Sequence, residues 1–69
     1  MKFHLKAARV NAHLTQLEAI EKLNEKGVKI TKNTLSNYES YRTKPGIETA
    51  KTLAALYGLS VDDIIFYAE

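Results

Sequence analysis

The sequence predicts an all-α fold, a compact bundle of five short helices that forms one domain over residues 1–69. Three observations support this prediction. Apolar residues recur at three- and four-residue spacing, two segments have the pattern of a helix-capping box, and glycine or proline follows helices 2, 3 and 4. The sequence lacks the strict apolar–polar alternation of a half-buried strand. A chain of 69 residues buries a small core, which a partner subunit would help to stabilise.

The first two helices are predicted on either side of a threonine cap. Helix 1 runs from about Phe3 to Asn11. Helix 2 starts at Thr15, whose hydroxyl accepts from the amide of Glu18 while the Glu18 carboxylate reaches back, and Gly27 is its expected C-terminal cap. The residues predicted to face the core are Leu5, Ala8 and Ala12, then Leu17, Ile20 and Leu23.

The next two helices are separated by a proline. Thr31 is the expected N-cap of helix 3, which ends near Ser40. Pro45 disfavours helix at the residue before it, so helix 4 begins later, at about Ile47, and runs to Tyr57. Gly58 then stops it. The inward residues are predicted to be Leu35, Tyr38, Ile47, Ala50, Leu53, Ala54 and Tyr57.

The C-terminal segment combines a second capping box with an apolar run. Residues 60–63 form the aspartate variant of the box and start a short helix 5. The bulky residues Ile64, Ile65, Phe66 and Tyr67 follow in succession. Because one helix face cannot bury four consecutive residues, this run is a candidate dimer interface. The alternative is that Phe66 and Tyr67 fold back on the core.

Composition argues against several classes of protein. The chain has no cysteine, which excludes disulfides and thiolate metal sites. No apolar run approaches the roughly 18 residues of a transmembrane helix, and Lys6 and Arg9 interrupt any signal-peptide core. The sequence therefore predicts a cytoplasmic protein that does not enter a membrane.

The sequence also offers little for catalysis or metal binding. His4 and His13 have no third ligand nearby, and the capping role explains the adjacent Asp62 and Asp63. It contains neither a Ser/His/Asp cluster nor a glycine-rich phosphate loop. We therefore expect no enzyme activity, no metal, no cofactor and no small-molecule substrate.

Charge and polarity are unevenly distributed along the chain. Its net charge is +2, but residues 1–13 and 29–44 each carry +3 whereas residues 58–69 carry −3. Helix 3 has few apolar residues and many side chains that donate and accept hydrogen bonds. Lysine suits guanine or phosphate, and Asn33 and Asn37 suit the bidentate pattern of adenine. A basic side with a polar helix favours duplex DNA as the partner.

The chain resembles the Cro/C1-type helix-turn-helix family of regulators, also called the XRE family. The resemblance extends from Leu5 to Ile65 and rests on several segments at nearly the family's spacing. These segments are LKAAR at 5–9, LTQ at 14–16, TLSNYE at 34–39, PGIET at 45–49, and LAALYGLSVDDII at 53–65. It implies a lambda-repressor-like fold with helices 2 and 3 as the helix-turn-helix.

The resemblance also implies the partner and the site. The partner is double-stranded operator DNA, bound in the major groove by a homodimer that acts as a repressor and is typical of phages or mobile elements. Residues 31–37 would be the recognition helix, and Arg9 and Glu39 a structural ion pair. The DNA-binding residues would be Thr15, Gln16, Lys32, Asn33, Thr34, Asn37, Tyr41, Arg42, Thr43 and Lys44.

Three departures from the family bear on the site. About four extra residues, 25–28, lengthen the connection between helices 2 and 3, so helix 2 is longer or a loop replaces the tight turn. Ala19 and Ile20 interchange the usual large and small residues. Tyr41 stands where the family often has glycine, and phosphate contact, loop packing and dimer contact are all consistent with it.

A second hypothesis is a protein-interaction module of the same fold. In that case helix 3 or the apolar C-terminus would bind a second regulator protein, and the lengthened connection favours this alternative. Substitution separates the two hypotheses. Alanine at Lys32 and Asn33 abolishes function in the DNA hypothesis and leaves it intact if Phe66 or Tyr67 carries the contact.

Overall fold

The computed structural model describes residues 2–66, which form four α-helices, a 3₁₀ turn and two short strands. In chain order these elements are β1 (Phe3–His4), α1 (Leu5–Asn11), α2 (Gln16–Glu25), α3 (Lys32–Glu39), α4 (Ile47–Leu56), the turn Val61–Asp63 and β2 (Ile64–Ile65). The predicted helical class is confirmed, but the prediction of five helices is wrong. No helix in this part of the chain is long and apolar enough to cross a membrane.

The fifth predicted helix is replaced by a strand that joins the two ends of the chain. The 3₁₀ turn gives way at Ile64 to an extended backbone, and β2 pairs in parallel with β1, so that Phe3 lies opposite Ile64 and His4 opposite Ile65. Two adjacent β-branched residues favour this extended conformation. Phe3 and His4 therefore precede helix α1, which begins later than predicted, at Leu5.

One leucine from each helix lies at the centre of the core. Leu5, Leu23, Leu35 and Leu53 are fully buried. Burial of each contributes roughly 1.5–3 kcal/mol relative to exposure. The other buried apolar residues are Ala8, Ala19, Ile20, Ala50, Ala54, Tyr57, Ile64 and Phe66. Ala12 and Tyr38 are partly buried against this core.

Two residues predicted to face the core are exposed instead. The side chains of Leu17 and Ile47 are 59% and 62% exposed. Both lie in the first turn of a helix. Because helical side chains point toward the N-terminus of their helix, both project beyond the end of the element.

The candidate dimer interface at the C-terminus requires a similar correction. Ile64 and Phe66 are buried in the core of this chain, so neither is an exposed apolar side chain of the kind that the prediction required. Phe66 thus folds back on the core, as the alternative prediction had it. Ile65 is half-buried, and Tyr67 lies outside the described residues.

The helix starts follow the predicted chemistry. Thr15 and Glu18 form the capping box of α2: the Glu18 amide donates to the Thr15 hydroxyl at 3.1 Å, and the Thr15 amide donates to the Glu18 carboxylate at 2.9 Å. At α3 the Thr31 hydroxyl accepts from the amide of Thr34 at 3.2 Å. Both predicted N-caps are confirmed.

All four helices end in the same way. His13, Gly27, Tyr41 and Gly58 each follow a helix with φ between 61° and 87°. The amide of the residue after each one returns to a carbonyl of the last helical turn, for example from Val28 to Leu23 at 2.9 Å. This is the Schellman arrangement. Gly27 ends α2 as predicted, whereas two of these left-handed positions hold large side chains.

A loop replaces the tight turn between α2 and α3. Helix α2 ends at Glu25, and residues 26–31 connect it to α3. Val28 and Ile30 lie partly buried against the core, while Lys29 between them is exposed. The extra residues therefore form a connection that is attached to the core at two points.

Candidate nucleic-acid interface

Helix α3 has one buried face and one polar face. Leu35 is fully buried and Tyr38 is half-buried, which fixes the rotation of the helix. Lys32, Asn33 and Ser36 are exposed on the other side. A helix of eight residues with only one fully buried side chain gains little from burial. The buried face of α3 therefore sets the position of its exposed polar side chains, which do not themselves contribute to the core.

Arg9 and Glu39 join the ends of α1 and α3. The Arg9 Nε donates to Glu39 Oε2 at 2.7 Å, and Nη2 donates to Oε1 at 3.2 Å. Arg9 Nη1 also donates to the carbonyl of Leu14 at 2.8 Å. The two side chains are only 10% and 5% exposed. The hydrogen bonds from Arg9 to Glu39 raise the pKa of the guanidinium above its ordinary value, so the guanidinium remains charged.

Gln16 connects the start of α2 to the same carboxylate. Its Nε2 donates to Glu39 Oε1 at 3.0 Å. Because an amide nitrogen carries two protons, the second remains available to another acceptor. Gln16 thus fixes the distance between the N-terminus of α2 and the end of α3. Three helices converge on a single acidic side chain.

An open groove of about 660 Å³ lies above this cluster, between α1, the start of α2 and α3. It is lined by Lys6, Arg9, Thr15, Gln16, Leu17, Lys32, Ser36, Glu39 and Ser40. A smaller depression beside it, of about 390 Å³, is lined by Gln16, Lys32, Asn33 and Ser36. The structure therefore brings four of the predicted site residues, from separate segments of the chain, to one surface: Thr15, Gln16, Lys32 and Asn33.

Four residues of this surface were not predicted from the sequence: Lys6, Leu17, Ser36 and Ser40, the last of which was expected only as the end of helix 3. Ser36 lies one turn after Lys32, a spacing that already placed it on the same face. Lys6 lies one turn before Arg9, and the expected contact of Arg9 with Glu39 indicated that this face of α1 meets α3. Leu17 gave no such signal, because the apolar pattern of α2 assigned it to the core.

The other predicted residues lie elsewhere on α3 and in the loop that follows it. Thr34 is half-buried, and its hydroxyl lies 3.1 Å from that of Thr31, so it belongs to the N-cap. Asn37 is half-buried, and its carbonyl accepts from the amide of Arg42 at 2.9 Å. Arg42, Thr43 and Lys44 are exposed. Asn37 and this loop are not among the residues that line the groove.

Tyr41 connects this loop to the N-terminal strand. Its hydroxyl is hydrogen-bonded to Nδ1 of His4, and the two rings lie 5.7 Å apart at a tilt of 56°. Among the three interpretations of Tyr41, the structure shows loop packing. Its φ of 63° also explains why glycine is suited to this position.

The described part of the chain does not bring three metal-ligating side chains together. The sequence matches the helix-turn-helix family over residues 5–64, a range that contains the whole groove. The chain belongs to the helix-turn-helix family. The predicted resemblance to Cro/C1-type regulators is thereby confirmed.

One curated relative of this helix-turn-helix chain is the HTH-type transcriptional regulator ImmR of Bacillus subtilis (strain 168). The two are 44% identical over 61 residues, which cover 88% of this chain but only 44% of ImmR. The chain thus spans less than half the length of that relative. No solved structure matches the chain significantly.

Proposed function

We propose that this protein is a sequence-specific DNA-binding transcriptional regulator, and that it represses by occupying an operator through the major groove. The observation that carries the proposal is the groove in which α1, the capped start of α2 and the polar face of α3 meet. A helix with exposed lysine, asparagine and serine beside a second helix N-terminus is suited to base edges and phosphates together. The name of the relative ImmR supports the same function.

Lys32, Asn33 and Ser36, which line the groove or the depression beside it, are the proposed base-reading residues. Lysine donates to guanine O6 or N7, asparagine pairs with adenine N6 and N7, and serine contacts either. We propose that Asn37, near the C-terminal end of α3, also contacts a base. Each good bidentate pair discriminates against the wrong base by roughly 1–3 kcal/mol.

The remaining predicted residues are proposed to contact the sugar-phosphate backbone. Thr15 and Gln16 present hydroxyl, amide and helix N-terminal donors, and the second Gln16 proton is directed to phosphate rather than to Glu39. Arg42, Thr43 and Lys44 contact the strand beside the C-terminal end of α3, and Thr34 contacts phosphate at the N-terminal turn of the helix. Tyr41 holds their loop in place through His4.

The acidic residue in the groove is compatible with a polyanion because its charge is neutralised. Glu39 accepts hydrogen bonds from both Arg9 and Gln16. Without them its carboxylate would repel a phosphate at short range. The cluster thus positions the DNA-contacting side chains and neutralises the one carboxylate that lines the groove.

We also propose that the protein binds its operator as a homodimer. Two recognition helices about 34 Å apart would then enter successive major grooves of a near-palindromic site. The proposed interface is centred on Ile47, which is 62% exposed, and on Val61. Both lie at an apolar depression of about 420 Å³ that also includes Pro45, Ala50 and Phe66.

The test is an amide NMR titration of the labelled protein with a mixed-sequence duplex, first at low salt and then at higher salt. Non-specific affinities of roughly 10⁻⁴–10⁻⁶ M are accessible to this method. We expect salt-sensitive shifts in 15–17, 32–37 and 42–44. Shifts confined to the surface around Ile47, or no shifts, would contradict DNA binding and favour a second regulator protein as the partner.

A further inference from the structure

Helix α1 contributes a cation to the groove that the recognition helix shares. Lys6 is exposed in the first turn of α1 and lines the same groove as Lys32 and Ser36. Arg9, one turn later on α1, is fixed to Glu39 and thereby fixes the face of α1 on which Lys6 lies. The position of Lys6 beside α3 is therefore set by a buried contact.

The charges of the groove leave two lysines without a carboxylate. Glu39 is the acidic residue of its lining, and Arg9 and Gln16 occupy its two oxygens. Within residues 2–66 the structure pairs neither Lys6 nor Lys32 with an acidic side chain. The groove is thus positive in sum, and the unpaired charge lies on its α1 wall and its α3 wall.

We infer that α1 is part of the DNA-binding surface and that Lys6 contacts the sugar-phosphate strand lying in this groove. The inference rests on the proposed function and extends it to a helix outside the helix-turn-helix. A lysine ammonium is a mobile point charge suited to phosphate. Arg42 and Lys44 follow the C-terminal end of α3. Phosphate-binding residues would then lie on α1 as well as in this loop, and together they fix the position of the recognition helix on DNA.

The test compares the salt dependence of DNA binding for three proteins. Wild type, Lys6→Gln and Lys51→Gln are titrated with one random-sequence duplex between 50 and 200 mM salt by fluorescence anisotropy. Lys51 is the matched control, because it is an exposed lysine of α4 outside the groove and its loss changes the net charge equally. Lys6→Arg serves as the charge-preserving variant.

Each phosphate contact contributes about 0.9 to the slope of log affinity against log salt. We expect Lys6→Gln to reduce this slope by about 0.9. The ratio of wild-type affinity to Lys6→Gln affinity should therefore fall about 3.5-fold between 50 and 200 mM salt. Lys51→Gln and Lys6→Arg should keep the wild-type slope.

The outcomes separate the two proposals. If wild type binds the duplex and Lys6→Gln has the slope of Lys51→Gln, the contact from α1 is wrong and the proposed function is unaffected. If wild type shows no salt-dependent binding, the proposed function itself is wrong. If the far-ultraviolet circular dichroism spectrum of Lys6→Gln differs from that of wild type, the titration is repeated with Lys6→Ala and Lys6→Met. A wild-type slope in both of these variants would overturn the inference.

Discussion

The hydroxyl of Tyr57 is buried beside the Arg9–Glu39 pair, and no side chain or carbonyl among residues 2–66 is hydrogen-bonded to it. Burial raises the pKa of this phenol. A buried polar group without a partner costs about 1–3 kcal/mol. Tyr57→Phe should therefore leave the free energy of unfolding unchanged or raise it by up to about 1 kcal/mol, measured by urea denaturation.

A matched substitution separates the hydroxyl from the ring. Tyr57→Leu removes aromatic volume from the core and should lower the free energy of unfolding by about 1–3 kcal/mol. A loss of more than 1 kcal/mol in Tyr57→Phe would show that the hydroxyl has a partner, and the assignment of this group as unsatisfied would be wrong.

His13 adopts a backbone conformation that suits glycine. It is exposed, with φ of 61°, and it ends α1. A left-handed conformation costs a residue with a Cβ roughly 1–2 kcal/mol, partly offset by the entropy that glycine loses on folding. His13→Gly should raise the free energy of unfolding by about 0.5–1 kcal/mol. The thermal midpoint of unfolding measures it.

Gly58 is the converse test of the same conformation. Its φ is 74°, and a Cβ built there meets no atom within 4 Å, so alanine introduces conformational cost without a clash. Gly58→Ala should lower the free energy of unfolding by about 1 kcal/mol. If both substitutions shift stability in the same direction, conformational strain is not what governs these helix ends.

At the scale of the element, the capping box of α2 makes stability depend on pH. The Thr15 backbone amide, and then its hydroxyl, lower the pKa of Glu18 below the reference value of 4.5. Because the folded pKa is the lower one, this contribution is present above pH 4.5 and is lost as pH falls through the folded pKa. Asp63 is lowered in the same way by Ser60.

Glu18→Gln should reduce this acid sensitivity, because glutamine keeps the capping hydrogen bond without the titrating group. The measurement is the urea midpoint at pH 6 and at pH 3 for both proteins. Glu21→Gln removes a carboxylate of the same helix outside the box and serves as the control. An equal loss of stability on acidification in wild type and Glu18→Gln would contradict the assignment.

Helix α3 and the loop after it should respond differently to substitution. Asn33→Ala should relax base preference at one position of the operator by about 1–3 kcal/mol. Arg42→Ala should weaken binding to all sequences about equally and reduce the salt slope by about 1. Selection from a random duplex library, followed by salt titration, measures both. Uniform weakening by Asn33→Ala would make that residue a backbone contact.

Local features of this molecule were predictable from neighbouring residues, whereas the long-range Arg9–Glu39 contact was expected only from the family resemblance. The caps at Thr15, Thr31 and Gly27 depend on neighbouring residues, and all appear as predicted. The strand Ile64–Ile65 depends on Phe3–His4 at the other end of the chain, so no local pattern specified it. Lys6 reaches the groove because α1 packs against α3, a long-range contact that the family resemblance indicated only through Arg9 and Glu39.

At the scale of the molecule, the exposed isoleucine of α4 is the feature that a dimer would bury. Ile47→Asp should weaken self-association at least tenfold, because a carboxylate in an apolar interface loses its hydration. The stability of the monomer should change by no more than about 0.5 kcal/mol, since Ile47 is already exposed. Sedimentation equilibrium, with and without a palindromic duplex, measures the association.

Val10→Asp is the matched control for this substitution. Val10 is 55% exposed on α1 and does not line the apolar depression around Ile47. Both variants add the same charge to a protein with net charge +2, so general electrostatic effects on DNA affinity are shared. Loss of the dimer in Ile47→Asp alone locates the interface at α4. If Ile47→Asp and Val10→Asp self-associate with the same affinity, the surface around Ile47 is not the dimer interface. The proposed binding of a near-palindromic operator by a dimer would then lack an identified interface in residues 2–66.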